Sequence, residues 1–130
     1  MDNLALRLKD VNEAGAYQLG CGVDELRAAA AQASFTLFDA DLSAVHGKGE
    51  FLAALAQAVR APDWFGANWD ALADALGDLS WRPSPGYVLL LRNGGDTLGL
   101  NDDHDVATEI LAGTVEFWKL QGKPFWVFFC

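Results

Sequence analysis

The chain has 130 residues, 52% hydrophobic and 21% charged, the balance of one folded domain rather than of a disordered segment. Its formal net charge of −9 repels nucleic-acid phosphates and anionic membranes and favours cationic partners. No stretch reaches the roughly 18–20 apolar residues that span a bilayer, and MDNLALRLKDVNEAG at the start lacks the apolar core of a secretion signal, so a cytoplasmic location is expected.

In chain order, short apolar runs alternate with segments of helical period, which predicts an α/β fold with a largely parallel sheet. GAYQL (15–19) reads as a short strand, and VDELRAAAAQA (23–33) as a helix with Asp24 placed to cap it. SFTLFDADLS (34–43) opens with β-prone residues and predicts a strand running into a loop. GKGEFLAALAQAVR (47–60) sets Leu52, Leu55 and Val59 on one helical face beside Phe51, and Pro62 stops that helix. A second helix is predicted after Asn68. GYVLLLRN (86–93) is a continuous apolar run, the pattern of a buried strand. GGDTLGLNDDHD (94–105) is a polar loop. VATEILAGTVEFWKLQG then predicts a long helix with Val106, Ile110, Phe117 and Trp118 aligned on one side and Gly122 at its C-terminal cap. KPFWVFFC closes the chain as a strand parallel to the previous one through a right-handed crossover. Cys21 and Cys130, at opposite ends of the sequence, are expected to be thiols rather than a disulfide.

The segment APDWFGANWDALADALGDLSW (61–81) concentrates the chemistry. It holds four aspartates and three of the five tryptophans, with no lysine or arginine, and Arg60 and Arg82 flank it. Asn68 is a strong N-cap residue, so the helix starts at Trp69. Trp69, Leu72, Leu76 and Leu79 fall on one side of the wheel. Asp70, Asp74 and Asp78 fall on the other at i, i+4 steps, with Gly77 a point where the helix can end first. Like charges at that spacing cost a helix roughly 0.2–0.5 kcal/mol per pair, and only Asp70 is compensated by the positive end of the dipole. A solubilising face would mix signs; this one invites a cation from outside. In the loop before it, Trp64 is expected to face a partner as a hot-spot aromatic, Phe65 to fold back into the core, and Gly66 to let another backbone approach.

APDWFGANWDALADAL resembles the signature of barstar-type ribonuclease inhibitors at Pro62, Asp63, Trp64, Phe65, Gly66, Asn68, Asp70, Ala71, Leu72 and Asp74. The element order also agrees over about residues 34–130. The resemblance implies a small, mainly parallel sheet of three to four strands packed with helices. Residues 1–33 would then be an N-terminal β-α extension of the same domain, before a barstar-like part at 34–130. It further implies an intracellular monomer that plugs the active site of a basic ribonuclease. Asp74 would be the central phosphate mimic, met by an arginine or histidine of the enzyme, and Asp70 a second ionic contact. Trp64 would stack on a catalytic histidine, while Gly66 and Asn68 make backbone and polar contacts, with Asp63 and Asp78 at the margins. Ala73 stands where the family often has a large aromatic, Phe117 and Gln121 where an acid contributes (Glu116 is one step off), and Trp64 in place of a tyrosine. These departures leave the target open: a basic ribonuclease, or another cationic protein or toxin bound by the same fold.

No catalytic role, metal or cofactor is expected. Asp70 and Asp74 share one exposed turn with nothing to split their pKa values, as acid–base chemistry requires. His46 and His104 have no metal-ligand spacing with either cysteine. The 96–105 loop lacks the spaced ligands of a calcium-binding hand, and RNGGDTLG lacks phosphate-loop spacing.

Overall fold

The computed structural model describes residues 4–20, 22–62 and 68–130. Among these are five α-helices and four strands: α1 (Leu4–Leu8), β1 (Ala16–Gln18), α2 (Val23–Gln32), β2 (Thr36–Asp41), α3 (Lys48–Val59), α4 (Trp69–Leu76), β3 (Tyr87–Arg92), α5 (His104–Leu120) and β4 (Phe125–Phe129). The sheet has the order β1-β4-β3-β2, and each neighbouring pair runs parallel. No described helix is long and apolar enough to cross a membrane.

The two central strands carry the apolar runs because both of their faces are covered. Side chains alternate along them. Tyr87, Leu89, Leu91, Phe125 and Val127 join Phe51, Leu52, Leu55, Leu72, Leu76 and Leu111 in the larger core, beneath α3, α4 and α5. Val88, Leu90, Trp126 and Phe128 form a second core with Leu8, Leu26, Ala29 and Ala30 from α1 and α2. Tyr87 is the hub of the first core. Its ring lies against Phe38, Trp118 and Phe125, and its hydroxyl donates to the Arg82 carbonyl at 2.8 Å.

The N-terminal segment joins the sheet. Ala16 and Tyr17 are in register with Val127 and Phe128, and the Trp126 indole donates to the Leu8 carbonyl at 2.8 Å. Helix α1 was not anticipated, since five residues of LALRL are too short to signal a helix by themselves. Two other expectations need correction. Asp24 does not cap α2: Gly22 occupies the N-cap without a side-chain bond, and Asp24 is a first-turn acid near the positive end of the dipole. The buried stripe of α5 is Ala107, Leu111, Thr114 and Val115, whereas Val106 and Phe117 are exposed. Gly122 does follow the end of α5, at φ 74°. The expectation for Cys21 falls outside the described residues.

Gly99 is a fixed point of the loop after β3. It sits at φ 76°, and a Cβ there would lie 2.4 Å from the Val45 carbonyl oxygen. Gly99→Ala therefore adds a backbone clash to a left-handed strain. It should lower stability by more than about 1 kcal/mol, read as an earlier urea midpoint with unchanged slope.

A helix that turns its carboxylates outward

Helix α4 forms where the sequence places its start and stop signals. Asn68 is extended (φ −136°, ψ 172°), and its side-chain oxygen accepts from the Ala71 amide at 2.7 Å. Eight residues later the chain leaves the helix at Gly77. Leu72, Ala75 and Leu76 are buried, and Trp69 packs at the edge of the same core, 5.9 Å from the Phe51 ring. Asn68→Ala should cost about 0.5–2 kcal/mol by orphaning that amide, while Asn68→Asp keeps the acceptor and most of the stability; thermal unfolding of both variants checks this.

Pinning the apolar stripe inward leaves Asp70 and Asp74 exposed on the opposite side. Neither carboxylate forms an ion pair among the described residues, nor does Asp78. The Lys48 ammonium sits 5.9 Å from the Trp69 ring centroid and so engages the indole. Asp78 lies beyond the helix end, where it accepts from the Ser80 hydroxyl at 3.1 Å. The acidic row on α4 itself is thus Asp70 and Asp74. Asp63, Trp64, Phe65 and Gly66 lie outside the described residues.

Helix α5 backs α4. The Trp118 indole donates to the Leu76 carbonyl at 2.8 Å, fixing the C-terminal end of α4 against α5. Between the helices is a cleft of about 360 Å³. Asp74 stands in its lining with Ala73, Gly77, Ile110, Gly113 and Phe117. Thr114 also contributes, but its hydroxyl already donates to the Ile110 carbonyl at 2.8 Å, so the cleft is mostly apolar. Phe117 keeps 43% of its surface exposed, a large apolar group beside a carboxylate. Sequence reasoning aligned Phe117 with Trp118 on one side of the helix. The signal that would have moved it outward is Trp118: when that indole turns towards α4, its neighbour must face solvent.

Strand β2 carries a separate charge cluster. Arg27 and Arg92 both bind the Asp39 carboxylate, Arg92 Nε at 2.7 Å. Asp41 accepts from the Asn93 side chain and the Ser43 amide, each at 3.0 Å, and these bonds, Asn93 first, hold its carboxyl at about 2. In this cluster Asp39 is met by two arginines and Asp41 by neutral donors, which sets it apart from the carboxylates of α4.

A family model for barstar, described as the barnase inhibitor, matches residues 35–130. No curated protein matches the chain significantly in sequence. The family match takes in the capped acidic helix, the helix behind it and three of the four strands, well over half of the sequence, and the chain therefore belongs to the barstar family.

Proposed function

We propose that the chain is a cytoplasmic inhibitor of a basic ribonuclease, acting by occupation of the enzyme's active site rather than by catalysis. One observation carries this reading: α4 is capped and packed so that Asp70 and Asp74 project together into solvent with no described cation to neutralise them. A cleft built to hold RNA phosphates is rich in arginine, lysine and histidine, and two carboxylates one helical turn apart complete it. Asp74 takes the central phosphate position and Asp70 the second. The family resemblance adds Asp63, Trp64, Gly66 and Asn68 as further contacts from the sequence before α4, and Asp78 follows the helix at its other end. Such complementarity raises the association rate and excludes anionic competitors, because the inhibitor's net charge of −9 meets an enzyme of opposite sign. Residues 1–33 are an extension of the same domain that lengthens the sheet on the side of β4.

A second reading has its own support. The exposed Phe117 and the apolar cleft beside Asp74 replace the aromatic and acidic groups that the family often carries there. On this reading the target is another cationic protein or toxin, bound through the same helix.

Titrating the chain into a basic microbial ribonuclease and following RNA cleavage separates the two. The inhibitor reading expects cleavage to stop near one equivalent and to return with the Asp70→Ala/Asp74→Ala variant. If no basic ribonuclease is inhibited while the wild-type chain still binds a cationic protein through those two aspartates, the binding-module reading stands instead.

A further inference from the structure

Gly113 stands near the middle of α5, where glycine weakens a helix relative to alanine. Packing does not call for it: a Cβ at that position would meet no atom within 4 Å among the described residues. The space left open belongs to the cleft of about 360 Å³ between α4 and α5, which Asp74, Gly77, Ile110 and Phe117 also line.

The Phe117 ring borders this space on the α4 side. A Cβ on Gly77 would lie 4.0 Å from the Phe117 Cδ2 atom. Asp74 precedes Gly77 by three residues and so shares that face of the helix. Phe117 is held by an edge-on contact with Trp118, their ring centroids 5.2 Å apart, and Trp118 is itself tied to the Leu76 carbonyl. Neighbouring rings are taken by the chain's own lysines. Lys48 lies over Trp69, and Lys123 lies over Trp118 and Tyr87. Among the described residues no cation lies over Phe117 and none pairs with Asp74. One cavity is thus bordered by an exposed ring and an exposed carboxylate, each still open to a positive charge.

The lining selects among cations. It is mostly apolar, and the Thr114 hydroxyl already donates to Ile110, so Asp74 supplies the charged acceptor. An ammonium is compact and strongly hydrated, and gives up water at a cost in such surroundings. A guanidinium is planar and weakly hydrated. Its edge pairs with a carboxylate through two hydrogen bonds while its face lies on an aromatic ring, and its aliphatic stem suits apolar walls. We propose, on the reading of α4 as the partner-binding helix, that this cleft is an arginine slot: a partner side chain enters over Gly113, pairs with Asp74 and stacks on Phe117. The slot adds a preference that the acidic row alone does not give, arginine over lysine, and Phe117 is the residue that sets it.

NMR titration of the isotope-labelled full chain with the capped tripeptide acetyl-Gly-Arg-Gly-amide tests the slot without any ribonuclease. The Gly77 and Gly113 amides should shift saturably, with a Kd of about 1–30 mM. The lysine counterpart should bind at least about threefold more weakly. Phe117→Leu keeps apolar bulk but removes the ring, and should weaken arginine binding about two- to fivefold, whereas Phe117→Tyr should retain it. Asp74→Asn should weaken it by a similar factor. Gly113→Leu fills the open space and should abolish binding without lowering the thermal midpoint, since leucine is the better helix former. Absence of saturable shifts up to about 100 mM overturns the proposal. So does equal binding of the two peptides, or wild-type binding by Phe117→Leu or by Gly113→Leu. Inhibition is read separately. If the peptide does not bind while a basic ribonuclease is inhibited, the slot falls and the inhibitor reading stands; if the peptide binds while no ribonuclease is inhibited, the reverse holds.

Discussion

Asp74→Ala should weaken binding to the cognate basic protein by about 2–5 kcal/mol, roughly 30- to 4,000-fold, a range drawn in part from barnase–barstar itself. The size follows from what is left behind. An arginine or histidine that Asp74 neutralises in the complex stays desolvated there when the carboxylate is removed, and that unpaired charge is costlier than the pair was worth. Most of the loss should appear as faster dissociation. Folding should respond in the opposite sense. Asp74 is exposed and lies four residues from Asp70, so its removal relieves a like-charge contact worth a few tenths of a kcal/mol. A stopped-flow binding series paired with urea denaturation resolves the two effects. A variant that binds normally, or one that loses binding because it loses its fold, contradicts the assignment.

Leu72→Ala should produce the largest loss of stability on α4, about 2–5 kcal/mol, because it empties a fully buried site at the junction of α4 with the core. The residue carries no charge and is buried on the side of α4 opposite Asp70 and Asp74, yet on the proposed function binding should suffer too. An eight-residue helix is too short to hold itself together, and its stability comes from Leu72, Ala75 and Leu76 against the sheet and from the Trp118 bond to the Leu76 carbonyl. Loosening that stripe spends part of the binding free energy on reordering Asp70 and Asp74. Leu72→Ala and Asp74→Ala therefore separate the two halves of the argument. The first lowers the urea midpoint and binding together, and the second lowers binding alone.

The parts of the molecule that were legible in the sequence are those where several local signals agree. For α4, the Asn68 cap, the leucine spacing and Gly77 all point to one helix, and the structure realises it over Trp69–Leu76. Strands β3 and β4 announced themselves as unbroken apolar runs because both of their faces are covered. Helix α5 was legible as a helix but not in its orientation. It buries Ala107 and Thr114, small residues that hydrophobicity ranks low, and leaves Val106 and Phe117 outside. Burial there is set by the contacts with α4 and β4, to which Phe117 contributes less than its size suggests. The cleft beside Asp74 was invisible for the same reason: it exists only once α4 and α5 pack together, with Gly77 and Gly113 both in its lining. Likewise α1 depends on a bond from Trp126, more than a hundred residues away.

The dependence of the association rate on ionic strength tests most directly whether the outward carboxylates of α4 are completed by a partner's positive pocket. With the basic ribonuclease as partner, the wild-type rate should fall steeply as salt rises through the range where the screening length shrinks to about 8 Å and below. The Asp70→Ala/Asp74→Ala variant should associate more slowly and respond less to salt. A wild-type rate that does not change with salt, or a double variant with the same slope as wild type, would contradict the account.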